Sequence, residues 1–176
     1  IEEVQRESWP VVRDPDELHD ALLTLAWVPD ASAIVWAAFF PTLIESGRVV
    51  HMSFPSPHPS PLTPDQVRGW VATEHRTQVE LMFASGDEAA TDVTVLGWME
   101  SIGPTTSLEL AARFHLPSDS IHRSLLRLEA SGQILRGQFR PNSELRTQHS
   151  ELPGAEAPEW CHRRLLARIH RLTIGR

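Results

Sequence analysis

One pattern occurs twice in this chain, and it limits the fold more than any other feature. Leu43-Ile44-Glu45-Ser46-Gly47-Arg48-Val49-Val50 lies over Leu128-Glu129-Ala130-Ser131-Gly132-Gln133-Ile134-Leu135. Each copy reads as the end of a helix, a glycine stop and the start of a strand. A chain that twice turns from helix directly into strand is built of mixed α+β units, and 176 residues leave room for two small ones.

The first unit is expected over residues 1–85. Asp14 is placed to cap a helix, Pro15 to take its first position and Glu17 to complete a capping-box-like spacing. Leu18, Leu22 and Leu25 then share one face, and Pro29 is expected to end the helix. A second helical stretch, Ala31 to Glu45, carries Ile34, Trp36, Phe39, Leu43 and Ile44, and Pro41 must kink or divide it. Val49, Val50, Met52 and Phe54 read as a strand, and Val67 to His75 as its return around Trp70. Between them residues 55–64, PSPHPSPLTP, hold five prolines and read as a stiff, extended loop tip.

The second unit, over 86–150, repeats the plan more clearly. Asp92 to Ser101 reads as a helix with Val95, Leu96 and Met99, closed by Gly103-Pro104. Thr106-Ser107-Leu108-Glu109 is a capping box that opens a short helix to Phe114. His115-Leu116-Pro117 makes a turn, and Ser118 caps a third helix with Ile121, Leu125 and Leu128 on one face. After Gly132, Ile134 to Phe139 reads as a tight hairpin. Three helices followed by a two-stranded wing make a winged helix-turn-helix. The expected fold is therefore mainly α with small β-hairpins (α+β), built of tandem winged-helix modules. The first would be atypical, with a proline-rich wing loop, and residues 151–176 would start a further module as a basic amphipathic helix.

Charge sharpens this division. Residues 1–97 hold five Arg against fifteen acids, whereas residues 98–176 hold eleven Arg against eight. The net charge of −7 thus hides a basic second half, and a local basic patch is what binds phosphate. Arg123 and Arg127, four apart on the third helix, lie away from its apolar face; Arg136 and Arg140 flank the turn of the expected wing. In the last segment Pro158 precedes the helix and Glu159 sits at its positive end. Trp160, Leu165, Leu166 and Ile169 supply its apolar contacts, ringed by Arg163, Arg164, Arg168 and Arg171. These arginines are the candidate nucleic-acid contacts. The competing reading is structural: the same arginines pair with the acidic first half and bind no phosphate.

Catalytic chemistry finds little purchase. The chain has no Lys, which excludes a P-loop with its phosphate-reaching lysine. Asp87-Glu88-Ala89-Ala90 superficially matches a helicase box but reads as an acidic helix cap or loop. Nine histidines include none at the usual zinc spacing, and the adjacent Cys161 and His162 would point about 100° apart on a helix. The single cysteine reads as a buried, inert thiol on an apolar helix face. No catalytic residue, metal ligand or cofactor site is expected in this segment. No apolar run suits a membrane span, no signal peptide is visible, and the chain opens without Met and stops in a basic helical pattern. A cytoplasmic fragment of a larger protein is expected.

The run Glu159 to Thr173, EWCHRRLLARIHRLT, closely resembles a signature of the C-terminal region of bacterial large helicase-related (Lhr) proteins, which are superfamily 2 ATP-dependent helicases of DNA repair. Val11 to Leu25, Trp70 to Arg76 and Leu128 to Phe139 resemble the same region. His162 departs from it where an acidic residue is expected, as does Leu172 where a basic one is expected. The resemblance implies an upstream motor using ATP and Mg, absent from this chain, that moves 3′ to 5′ on DNA and unwinds duplexes and RNA:DNA hybrids. It also implies an accessory role among tandem winged helices similar to those of winged-helix DNA glycosylases, in a region associated with oligomerisation and with a glycosylase activity. The partners it implies are single-stranded or duplex DNA, the motor domains and a second copy of the chain.

Overall fold

The computed structural model describes residues 8–56, 66–140 and 157–174. Helix α1 (Pro15–Leu25) forms where the capping signal places it. The Asp14 carboxylate accepts from the Glu17 N–H at 2.8 Å, and Pro15 fills the first turn. Leu18, Leu22 and Leu25 are fully buried along one face. The helix stops at Leu25, before Pro29, because Ala26 takes a φ of 59° and breaks the α ladder. Pro29 belongs instead to a two-residue strand, β1 (Val28–Pro29).

The second helical stretch is divided into α2 (Asp30–Ala33), a 3₁₀ turn (Ile34–Trp36) and α3 (Phe40–Glu45). Pro41 does not break a helix here. It sits in the first turn of α3, where no N–H is needed. Strands β2 (Val49–Pro55) and β3 (Gln66–Ala72) pair antiparallel, and β1 lies on the other edge of β3, giving the order β1-β3-β2. The returning strand ends at Ala72; Thr73–His75 form a 3₁₀ turn into α4 (Arg76–Ser85). Most of the proline-rich stretch 55–64 lies outside the described residues.

In the second half, Asp87 caps α5 (Glu88–Ser101) by accepting from the Ala90 N–H at 2.8 Å, so the helix starts a turn before Asp92. Strand β4 (Thr105–Thr106) leads into α6 (Ser107–Phe114), where the capping box forms in both directions between Thr106 and Glu109. His115, at φ 55°, closes α6. Helix α7 (Ser118–Ala130) starts at Ser118 itself; Pro117 holds the cap position, and no side chain caps it.

The tight hairpin does not form. Strand β5 (Ile134–Gly137) pairs with β6 (Glu159–His162), not with Gln138 and Phe139, and β4 completes the order β4-β6-β5. The first part of the expected basic helix is therefore a strand; α8 (Arg163–Ile174) begins only after it, and the second sheet closes at His162, beyond residue 150. The reason is burial. Glu159, Trp160, Cys161 and His162 are all enclosed, and four consecutive buried residues suit a strand covered on both faces, not an amphipathic helix.

The two halves share one plan: helix, strand, two helical segments and two strands, with the first strand pairing on the third. Their registers coincide as well. Val49 faces Ala72 and His51 faces Trp70, as Ile134 faces His162 and Arg136 faces Trp160. The short strands β1 and β4 meet Trp70 and Trp160 respectively. Trp70-Val71-Ala72 is thus the counterpart of Trp160-Cys161-His162. Carried back from Leu43 over Leu128, the same register sets buried Trp36, Phe40 and Leu43 against buried Ile121, Leu125 and Leu128.

One hydrophobic core runs through both halves. Helices α1 and α5 approach so closely that a Cβ on Gly97 would stand 1.9 Å from the Thr24 carbonyl oxygen. Beside this crossing, Trp98 Nε1–H donates to the Trp27 carbonyl at 2.9 Å, deep in the interior. Among the described residues, no helix is long and apolar enough to cross a membrane.

Candidate nucleic-acid interface

Burial of Ile121, Leu125 and Leu128 turns Arg123 and Arg127 to the outer side of α7, where α5 runs alongside. Arg127 grips Asp92 with two hydrogen bonds, Nε and Nη2 each at 2.8 Å, and reaches Glu88 with Nη1 at 3.2 Å. The bonds to Asp92 raise its pKa above the ordinary arginine value. Arg123 Nε stands 3.8 Å from Glu88 Oε1, with both side chains more than half exposed, which makes a weak pair.

Arg136 on β5 pairs with Glu129 at 3.3 Å. Arg140, just beyond β5, is held by two carboxylates. Its Nη1 and Nη2 donate to Glu109 at 2.9 and 3.0 Å, and its Nε donates to Glu159. Glu159 also accepts from the Phe139 and Arg140 backbone N–H groups, at 2.7 and 3.0 Å, and is only 6% exposed. Burial alone would raise the Glu109 pKa. Hydrogen bonds from Arg140 and Thr106 and the Arg140 charge outweigh it and hold the carboxyl below the usual range. Arg140 therefore fastens the segment after β5 to both α6 and β6. Glu88 and Asp92, which hold Arg123 and Arg127, fall within the acidic stretch 1–97 but on α5 of the second unit, and Glu129, Glu109 and Glu159, which hold Arg136 and Arg140, lie in the basic stretch itself.

Arg163, Arg164 and Arg168 are exposed on α8. Arg163 Nη1 donates to the Gly132 carbonyl at 3.2 Å, which ties the start of α8 to the glycine stop after α7. Leu165 and Leu166 pack with Cys161 and Phe139 in a small apolar cluster, whereas the Ile169 and Arg171 side chains lie outside the described residues. Cys161 is buried on a strand, not on a helix face, and burial with the nearby Glu159 charge pushes its thiol up to about 11. His162 is likewise buried; desolvation pulls its pKa down, with Glu100 at 3.8 Å opposing. As strand neighbours they project to opposite faces. Among the described residues, no three His, Cys, Asp or Glu side chains converge on a point that could hold a metal ion.

Two features escape the sequence. In the first half, Ala38 and Thr42 occupy the places of Arg123 and Arg127, and residues 30–47 contain neither Arg nor His. Large apolar side chains are exposed there instead: Ile34 and Val35 of the 3₁₀ turn and Ile44 of α3, at 71%, 73% and 52%. The second feature is a pair of adjoining clefts at the seam between the halves, of about 470 and 640 Å³, that share Pro29, Ala31 and His115. One is lined by Arg113 of α6 and the other by Arg68 of β3. These two arginines stand too far apart in sequence for any local pattern to associate them.

Compared with protein-family models, curated proteins and solved structures, the chain matches none.

Proposed function

We propose that this chain is a non-catalytic accessory segment of a larger, Lhr-type ATP-dependent DNA helicase, that its two halves are tandem winged helices, and that it acts chiefly as a scaffold. The observation that carries the scaffold reading is the pairing of Arg123, Arg127, Arg136 and Arg140 with carboxylates of their own half. A guanidinium already bound by Asp92 or Glu109 must give up that bond before it can take a phosphate. The order of elements and the first-third-second strand order in each half support the winged-helix reading. The exposed Ile34 and Val35 of the 3₁₀ turn and Ile44 of α3 support contact with protein rather than phosphate in this part of the first half. The helicase attribution rests on the resemblance of Glu159 to Thr173, and ATP and Mg would belong to the upstream motor.

The test is assembly with the motor domains. Ile34→Asp/Val35→Asp changes two exposed side chains and should alter folding stability by no more than about 0.5 kcal/mol each. It should nevertheless abolish co-sedimentation of this segment with the motor, while Arg123→Ala/Arg127→Ala leaves co-sedimentation intact. Unchanged assembly of the Asp variant would overturn the scaffold reading.

A further inference from the structure

We propose that the seam between the two halves is a phosphate-binding cleft, in which Arg68 and Arg113 hold a phosphate group carried by a nucleic-acid strand or by a free nucleotide. This goes beyond the scaffold reading, which does not depend on it. The first reason is charge. Arg48, Arg76, Arg123, Arg127, Arg136 and Arg140 each have a carboxylate partner. Among the described residues, Arg68 has only a neutral one, donating from Nη2 to Gln66 Oε1 at 3.2 Å. Arg113 lies over the Trp98 ring, with Cζ 5.3 Å from its centroid, a contact that fixes a guanidinium without neutralising it. The carboxylate one turn before it, Glu109, is committed to Arg140.

Desolvation adds to this. Burial lowers the Arg113 pKa, with the Glu109 charge opposing, so the side chain bears the cost of a partly buried cation with no bonded counter-ion among the described residues. An anion in the cleft would relieve it. The carboxylate lining the cleft, Asp30, is itself held by His51 at 2.8 Å.

Size and lining select the ligand class. Volumes of about 470 and 640 Å³ exceed what a lone ion fills and suit a nucleotide or a short stretch of strand. Arginine's planar fork matches phosphate oxygens in pairs. Ala31, exposed and shared by both lobes, offers an apolar contact for a base, and His115 also lines both lobes.

The experiment uses the whole chain at about 25 mM salt, where phosphate contacts are least screened. Three probes are titrated: inorganic phosphate, a nucleoside monophosphate, and a labelled thymidine strand of roughly 12 nucleotides, within the span that single-strand sites cover. Tryptophan fluorescence reads the small probes and anisotropy the strand. Arg68→Gln and Arg113→Gln should each weaken binding roughly tenfold, the loss expected for a charge-assisted contact. Arg123→Gln/Arg136→Gln, outside the cleft, should change it less than about twofold. Strand binding alone would identify a nucleic acid, and equal arginine dependence with the monophosphate a free nucleotide. Failure of every probe to bind the native chain, or equal binding by native and Arg68→Gln chains, would overturn the proposal. Arg68→Gln alters an exposed side chain, so it decides the matter even if Arg113→Gln does not fold.

Discussion

Replacing Arg140 with Met keeps an unbranched apolar stem but shortens the side chain and removes its charge and five donors. The consequence falls on Glu159, which is 6% exposed and would keep its two backbone N–H bonds while losing its cation. Glu109 suffers less, since the Thr106 N–H and the Thr105 hydroxyl still donate to it and its side chain is 31% exposed. Breaking a buried pair by removing one partner costs about 3–5 kcal/mol, and the surviving bonds together with the 24% exposure of Arg140 set the expected loss near the lower end, about 3 kcal/mol. For a chain of this size that lowers Tm by roughly 6–12 °C. Urea denaturation followed by tryptophan fluorescence measures it. Arg140→Met/Glu159→Gln, which removes the stranded charge, should recover most of the loss. A loss under about 0.5 kcal/mol for the single variant would refute the view that Arg140 is part of the fold, because that is the effect of an ordinary surface substitution.

Three further outcomes follow from the interior. Gly97→Ala would drive a methyl group to 1.9 Å from the Thr24 carbonyl oxygen, against backbone that cannot rotate away, and should cost about 3 kcal/mol or more in chemical denaturation. Cys161, with its thiol pushed up to about 11 by burial and the Glu159 charge, should resist a thiol reagent in the native chain and react promptly once the chain is unfolded; rapid native labelling would contradict its burial. His162 is harder to protonate folded than unfolded, so its contribution to stability is complete above about pH 6.5 and is lost as the pH falls below that value. His162→Gln should flatten the acid limb of the stability curve, and an unchanged limb would show that the ring is not held neutral.

What could be read from the sequence was what local chemistry decides. Asp14 and Thr106 form caps within four residues of the groups they satisfy, and both were legible, whereas Asp87 could be read only as a cap or a loop and the start of α5 was set a turn late. The apolar faces of α1 and α7 were legible for the same reason, since their spacing lies within one helix. Strand β6 was not, because its partner β5 lies more than twenty residues earlier and the run Trp160-Cys161-His162 continues directly into a basic helical pattern. Its equivalence to Trp70-Val71-Ala72 becomes visible only when the two registers are laid side by side. The end of α1 was misplaced because Ala26 adopts a positive φ that its residue type does not advertise. The arginines show the sharpest limit. Their positions on outer faces could be read, but Asp92 lies thirty-five residues from Arg127 and Glu109 thirty-one from Arg140, so their partners could not.

Whether those arginines serve the fold or a phosphate is decided most directly by the salt dependence of DNA binding. Anisotropy is measured for the native chain and for Arg123→Gln/Arg127→Gln, with single-stranded and duplex DNA. If the arginines are committed to Glu88 and Asp92, the log-log slope is the same for both chains, or neither binds. A slope shallower by about 1.4–1.8 in the variant, the signature of two lost phosphate contacts at roughly 0.7–0.9 each, would contradict it.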